Sequence, residues 1–301
     1  MNAVTDRPLA GIAWAALAVL TASMLLALPK WAGGDISPFQ FTLLRYLTGL
    51  ATIAPFYFRA KAGLPEYDTK GRGRHTFKLH ALRAALAVIR ITCLFYAVTH
   101  MPFANAQAIT LTNGVFMIVF AVLLLHERAR PATLVACAVC FAGGVIAAEP
   151  KWQVQGFLSS GAIAALVGAA IWGIESTVIK YTVVRDETVR ILFTVNLIAA
   201  GLIAIPGIIA WTPLSWTQWI MLLFIGPLAI MTQVFNVKAF RLADANLLAP
   251  VRYSSVVFAL LIGWFIFGEW PTVWGGMGIM LILVSGLALT LNVSGYPRRP
   301  V

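Results

Sequence analysis

The chain has 301 residues, 60% apolar and 11% charged, with a mean hydropathy of +0.86. Soluble domains average about 45–50% apolar and about 25% charged, so a water-soluble body could not cover this much apolar surface. The net charge of +11 and pI of about 10.0 would indicate nucleic acid in a soluble protein, but in a membrane chain they have to be read against the spans.

Ten apolar runs follow one another at 9–29, 38–58, 80–98, 102–125, 132–148, 157–179, 188–210, 216–237, 246–267 and 272–292. Each approaches the roughly 20 residues that a helix needs to cross a bilayer. Their length and lack of alternation predict helices rather than strands. The first run has no small-residue cleavage site before Lys30 and reads as a retained span. Residues 59–79, between the second and third runs, form the longest polar stretch and read as a basic cytoplasmic loop. With the N-terminus inside, 16 Lys and Arg fall on cytoplasmic segments and only Lys30 and Lys151 on outer ones. This bias predicts a multi-pass membrane protein with both termini in the cytoplasm. Anionic headgroups are then the partners of the basic loops, and no nucleic acid is expected.

The two halves resemble each other at an offset of about 142 residues. His126-Glu127-Arg128 falls on Gly268-Glu269-Trp270, each ending an apolar run, and Gly144 falls on Gly286. Met101-Pro-Phe-Ala-Asn-Ala falls on Leu242-Ala-Asp-Ala-Asn-Leu with a one-residue slip, and Lys30 and Lys180 each close a Trp- and Ala-rich helix. Four matches in one order indicate duplication. Five spans per half is an odd number, so the second copy enters the membrane from the opposite side. The expected fold is therefore all-α and integral to the membrane, with ten transmembrane helices as two inverted five-helix repeats, 9–148 and 157–292. Such repeats support alternating access around a central site.

Each half closes with an apolar run, Glu127 or Glu269, a following Pro131 or Pro271 and a Gly-rich helix. In this the chain resembles the drug/metabolite transporter superfamily, EamA type, over about residues 9 to 292. The resemblance implies a secondary transporter, most often an exporter of amino acids and other metabolites, although some branches import riboflavin or S-adenosylmethionine. It also implies a cavity lined by the first four helices of each half, with the fifth as scaffold. Arg45 in the second helix has no basic counterpart near Val195-Asn196, so the halves differ chemically.

Ionisable residues within a bilayer are costly and mark candidate sites. Arg90 lies near the middle of the third run, with Arg83 seven residues earlier on nearly the same face. Arg45 lies toward the outside, Arg252 toward the inside, and Glu175 in the sixth run is the one clearly intramembrane acid. Guanidinium groups beside one carboxylate suit a small zwitterion, because Arg grips carboxylates and Glu accepts from an ammonium. Glu175 is alternatively a carrier of a coupling proton. Asn113 beside Gly114, and Gln233 with Asn236 on one helix face, offer hydrogen bonds. Trp172, Tyr253, Tyr96 and Trp14 offer aromatic walls for an aromatic cargo, and Gly168, four residues before Trp172, leaves space beside the indole. The bland counterpart is that Glu175 pairs with Arg252 to offset desolvation while Arg83 snorkels to the surface, as in a membrane scaffold subunit that transports nothing.

Trp211, Trp216, Trp219, Trp270 and Trp274 read as interfacial aromatics. Gly143, Gly144, Gly275, Gly276, Gly278 and Gly286 read as helix-packing or homodimer surfaces. Cys93, Cys137 and Cys140 read as small packing residues. No enzyme activity is expected: His126-Glu127 lacks a second His, no phosphate-cradling Gly-Lys-Ser loop occurs, and no nucleophile and base meet at membrane depth. Neither a metal nor a cofactor is expected.

Overall fold

Inside lipid every backbone N–H and C=O must find its partner within the segment, and the apolar runs accordingly become helices. The computed structural model describes residues 8–33, 36–60, 72–125, 131–147, 159–182, 188–242 and 245–294. Within the basic loop, 61–71 lie outside the described residues, as do Glu127, Arg128, Lys151, Arg185, Arg298 and Arg299.

Twelve helical segments occur among the described residues. The first half contributes α1 (Pro8–Trp31), α2 (Pro38–Ala60), α3 (Arg72–His100), α4 (Phe103–Leu111), α5 (Asn113–Leu125) and α6 (Pro131–Ala147). The second contributes α7 (Ser160–Thr182), α8 (Thr188–Ile209), α9 (Trp216–Leu223), α10 (Ile225–Leu242), α11 (Ala245–Phe267) and α12 (Val273–Ser294). Among the described residues each predicted run lies mostly on helix, and five helical stretches there are long and apolar enough to cross a bilayer: Leu9–Trp31, Phe77–His100, Phe103–Phe120, Thr188–Ile209 and Trp216–Ala239.

Two runs read as single helices are each divided. The run at 216–237 breaks at Phe224 between α9 and α10. Pro227 has no N–H to give the carbonyl of Leu223, and its ring crowds that carbonyl. The run at 102–125 breaks at Thr112, whose Oγ1 donates to the carbonyl of Ile109 at 2.7 Å while its own carbonyl accepts from Val115 N–H at 2.9 Å. α3 also begins at Arg72, within the stretch read as a basic loop, since Arg and Lys are good helix formers once a hydrophobic helix has nucleated.

The packing has a simple symmetry. α1 lies on α10 and α3 on α7; α2 lies on α8, α4 on α11 and α6 on α12. Exchanging the two halves converts the first pairing into the second and returns each of the others to itself, as a two-fold relation between halves requires. The α6–α12 pair is drawn together at Gly143, where an added Cβ would stand 2.9 Å from Leu281 Cβ. Gly278 faces Ala147 and Gly286 faces the Tyr253 ring, so these small residues serve packing inside the chain. The main core gathers Leu25, Phe41, Phe95, Phe103, Ile109, Leu222 and Val256 from both halves.

Four of the five tryptophans read as interfacial, Trp211, Trp216, Trp270 and Trp274, are exposed. Trp219 instead packs partly buried on the core, 5.9 Å from Trp211 between ring centroids. Cys137 and Cys140 are buried free thiols on α6.

Candidate substrate-binding site

α7 carries Gly168, Trp172, Gly173 and Glu175 across about two turns, and its two glycines decide where those side chains go. At Gly168 the missing side chain admits α3: a Cβ there would sit 3.5 Å from the Arg90 carbonyl and from Cys93 Cβ. At Gly173 it admits α5, with Phe116 Cβ 2.8 Å and Met117 N 2.9 Å from where a Cβ would be. The space expected beside the indole at Gly168 is therefore filled by the α3 backbone.

This close approach of α3 and α7 sets the central contact. Arg90 Nε donates to Glu175 Oε2 at 2.6 Å, with side-chain exposures of 14% and 5%. Glu175 thus pairs with Arg90 and not with Arg252. Similar depth along the helices suggested the latter, but direction around the helix axis decides contact, and Glu175 points to α3. The pair joins one half of the chain to the other.

Trp172 forms a wall between two cations. Arg90 Cζ lies 4.9 Å from the indole centroid and Arg252 Cζ 5.7 Å, both within cation-π range. Arg252 itself has an exposed side chain although it lies well within α11. Arg45, on α2, is buried at 8% exposure with its guanidinium 4.4 Å from the Tyr46 ring. Arg83 is half-buried, and its Nε and Nη1 are buried and donate to no partner among the described residues.

The remaining candidates disperse. Asn113 opens α5 beside Gly114, where an added Cβ would meet nothing within 4 Å. Tyr253 lays its ring on Gly286 of α12. Tyr96 donates to Ser160 Oγ at 3.1 Å and stacks on His100 at the far end of α3. Trp14 packs on Phe235 with Lys238 Nζ 4.3 Å from its ring. Asn236 is exposed and donates to the Thr232 carbonyl at 3.1 Å, and Gln233 is half-buried on the same helix. Arg90, Glu175, Trp172 and Arg252 are the residues the fold brings together, with Arg45 and Arg83 within electrostatic reach of the pair.

A second polar constellation was not singled out as a site from sequence. At the Lys30 end of the bundle, Lys30 Nζ pairs with the Glu269 carboxylate and donates to the Met101 carbonyl at 2.9 Å. Glu269 Oε2 also accepts from Phe103 N–H at 2.9 Å. Gln40 donates to the Thr212 carbonyl at 3.0 Å and accepts from Thr212 N–H at 3.1 Å, while Gln218 Nε2 donates to the Ala32 carbonyl at 2.9 Å. All three links run between the halves and tie them together at this end. The available signal was the presence of Gln40, Lys30 and Glu269 at the margins of apolar runs.

Comparison with known proteins adds to this geometry. The EamA-like transporter family matches residues 9–148 and 159–291. The chain is 28% identical to the pseudopaline exporter CntI of Pseudomonas aeruginosa strain UCBPP-PA14, over 97% of this chain and 100% of the exporter. It is 28% identical to a riboflavin transporter of Brucella anthropi, over 89% of this chain and 94% of that one. It is 25% identical to an S-adenosylmethionine uptake transporter of Rickettsia felis, over 90% and 89%. One solved crystal structure shares the fold with a TM-score of 0.61 at 20% identity, covering 95% of this chain and 97% of that one.

Proposed function

The chain belongs to the EamA-like transporter family of the drug/metabolite transporter superfamily, and from that premise we propose that it exports small zwitterionic, amino-acid-like metabolites across a bacterial inner membrane by alternating access. The family and these relatives are transporters; cargo and direction are our reading. The observation that carries it is the Arg90–Glu175 pair, a buried cation and anion held between the two halves. A zwitterion can replace each partner with its own opposite charge, its carboxylate on Arg90 and its ammonium on Glu175, without changing the buried charge. Neutral or singly charged cargo would leave one of the two unpaired, at a cost of several kcal/mol. Because the pair spans the halves, inserting cargo also loosens the link that holds them in one arrangement.

Orientation supports the export reading. If the cytoplasmic excess of basic residues sets both termini inside, the Lys30 end faces outward, and its three inter-half links close the outer side. The outward-closed state is the one in which an exporter loads from the cytoplasm; an importer visits it to release cargo, so the counterflow and uptake measurements decide direction.

Proteoliposomes loaded with a labelled amino-acid panel test the proposal. Counterflow of at least one amino acid is expected, and it should be lost in Arg90→Gln. If no amino acid moves in either direction, the cargo class is wrong.

One observation favours a second reading, uptake of a heteroaromatic vitamin or cofactor. Trp172 between Arg90 and Arg252 can stack on a planar ring, and relatives carry names of riboflavin and S-adenosylmethionine transporters. Including those two compounds in the same panel distinguishes the readings.

A further inference from the structure

We infer that the cargo carries a second acidic group, and that Arg45 binds it. This rests on the zwitterion reading above and narrows it to amino acids with a net negative charge.

The hydrogen bond between Thr42 Oγ1 and Thr92 Oγ1, at 3.0 Å, fixes the register of α2 against α3. Tyr46, further along α2, packs in one cluster with Ala84 and Val88, earlier on α3, so the helices run in opposite directions. From Thr42 to Arg45 is three residues along α2, about 4.5 Å, and from Thr92 back to Arg90 is two along α3, about 3 Å. Arg45 and Arg90 therefore stand at nearly one level on neighbouring helices, and Arg45 lies within electrostatic reach of both Arg90 and Glu175.

Arg45 is more than nine-tenths buried; its Nε and Nη1 complete no hydrogen bond among the described residues, with the Tyr46 hydroxyl within its reach. Arg83 Nε and Nη1 are in the same condition, within reach of the same pair. A guanidinium stays ionised and has five donors to satisfy. Around the single carboxylate of Glu175 the fold thus gathers Arg45, Arg83 and Arg90, an excess of two positive charges. A simple zwitterion exchanges with the Arg90–Glu175 pair and leaves this excess as it was. Only added negative charge offsets it, and Arg45, level with Arg90, offers free donors to a second acid on the same molecule. Arg83 stands seven residues, about 10 Å, along α3 from Arg90, toward the Ala60 end.

The anion could instead be an inorganic one bound beside the cargo, so the test separates the two sources. Binding of glutamate against glutamine, and aspartate against asparagine, is measured by calorimetry on the full chain in lipid nanodiscs, in chloride and in gluconate buffers. The acid of each pair should bind about 10-fold or more tightly than its amide in both buffers, the increment of a charge-assisted hydrogen bond to a carboxylate. Arg45→Gln should erase that preference, and Arg45→Lys should keep part of it, with thermal melts showing that both variants are folded. Equal binding of acid and amide in the wild type, or a preference that survives in Arg45→Gln, overturns the inference while leaving the zwitterion reading intact. Equal binding that requires chloride also overturns it, since the guanidinium then holds a free anion. If none of the four amino acids binds, this inference is overturned, and the zwitterion reading falls with it only if the wider amino-acid panel also shows no counterflow.

Discussion

Removing one member of the Arg90–Glu175 pair leaves the other's charge buried without its partner, which for pairs this enclosed costs about 3–5 kcal/mol. Glu175→Gln should therefore lower the melting temperature of the purified protein markedly. The double variant Arg90→Gln with Glu175→Gln removes both charges and should recover most of that loss while remaining inactive in counterflow. A membrane scaffold predicts the same recovery with no transport to lose, so the measurement that decides is counterflow by the wild type beside the melt of the double variant. Both residues were legible in the sequence, because a charge in an apolar run stands out. Their pairing was not. It depends on which way each helix turns its face, and that is set by contacts between residues 85 positions apart, where depth along a span says nothing about azimuth. The orphaned donors of Arg45 and Arg83 were likewise invisible, since a sequence shows charge but not which neighbours remain to satisfy it.

At the scale of helices, the glycines of α7 make a contrast that composition could not supply. Gly168 and Gly173 both sit against a neighbouring helix, yet a methyl at Gly168 would meet ordinary contacts at 3.5 Å, whereas one at Gly173 would lie 2.8 Å from Phe116 Cβ and 2.9 Å from Met117 N. Gly168→Ala should be neutral or stabilising by up to about 1 kcal/mol, because Ala is the better helix former. Gly173→Ala should destabilise by about 1–3 kcal/mol through overpacking against backbone. Parallel melts of the two variants check this, and equal effects would show that α5 yields to α7. The helices themselves were legible as apolar runs because lipid leaves the backbone no alternative. The division at Phe224 had its cause in plain view at Pro227, but Pro29, Pro55 and Pro206 lie within helices that are not divided. A proline removes one hydrogen bond everywhere, and only the surrounding packing decides whether the helix bends or breaks.

Across the whole molecule, alternating access requires that the closure at the Lys30 end be reversible, so the links there should be strong enough to hold and weak enough to release. Lys30 and Glu269 retain 17% and 27% side-chain exposure, and Glu269 also holds Phe103 N–H. Neutralising the carboxylate in Glu269→Gln removes the ion pair and weakens that second bond, a combined loss of about 1–2 kcal/mol, which shifts an open–closed equilibrium about 5- to 30-fold. Ala104, buried on α4 at this end, is a natural reporter position. In a cysteine-free background carrying Ala104→Cys, a membrane-impermeant maleimide added to intact cells should label slowly, and Glu269→Gln should accelerate labelling by that factor. The same experiment reads orientation. If the Lys30 end faces outward, label reaches the reporter from outside the cell; labelling only in inverted vesicles would place that end in the cytoplasm and reverse the direction of loading argued for export. Acceleration absent from both preparations would mean that Gln40–Thr212 and Gln218–Ala32 hold the two halves together without the ion pair, and that the gate lies in those two amides instead.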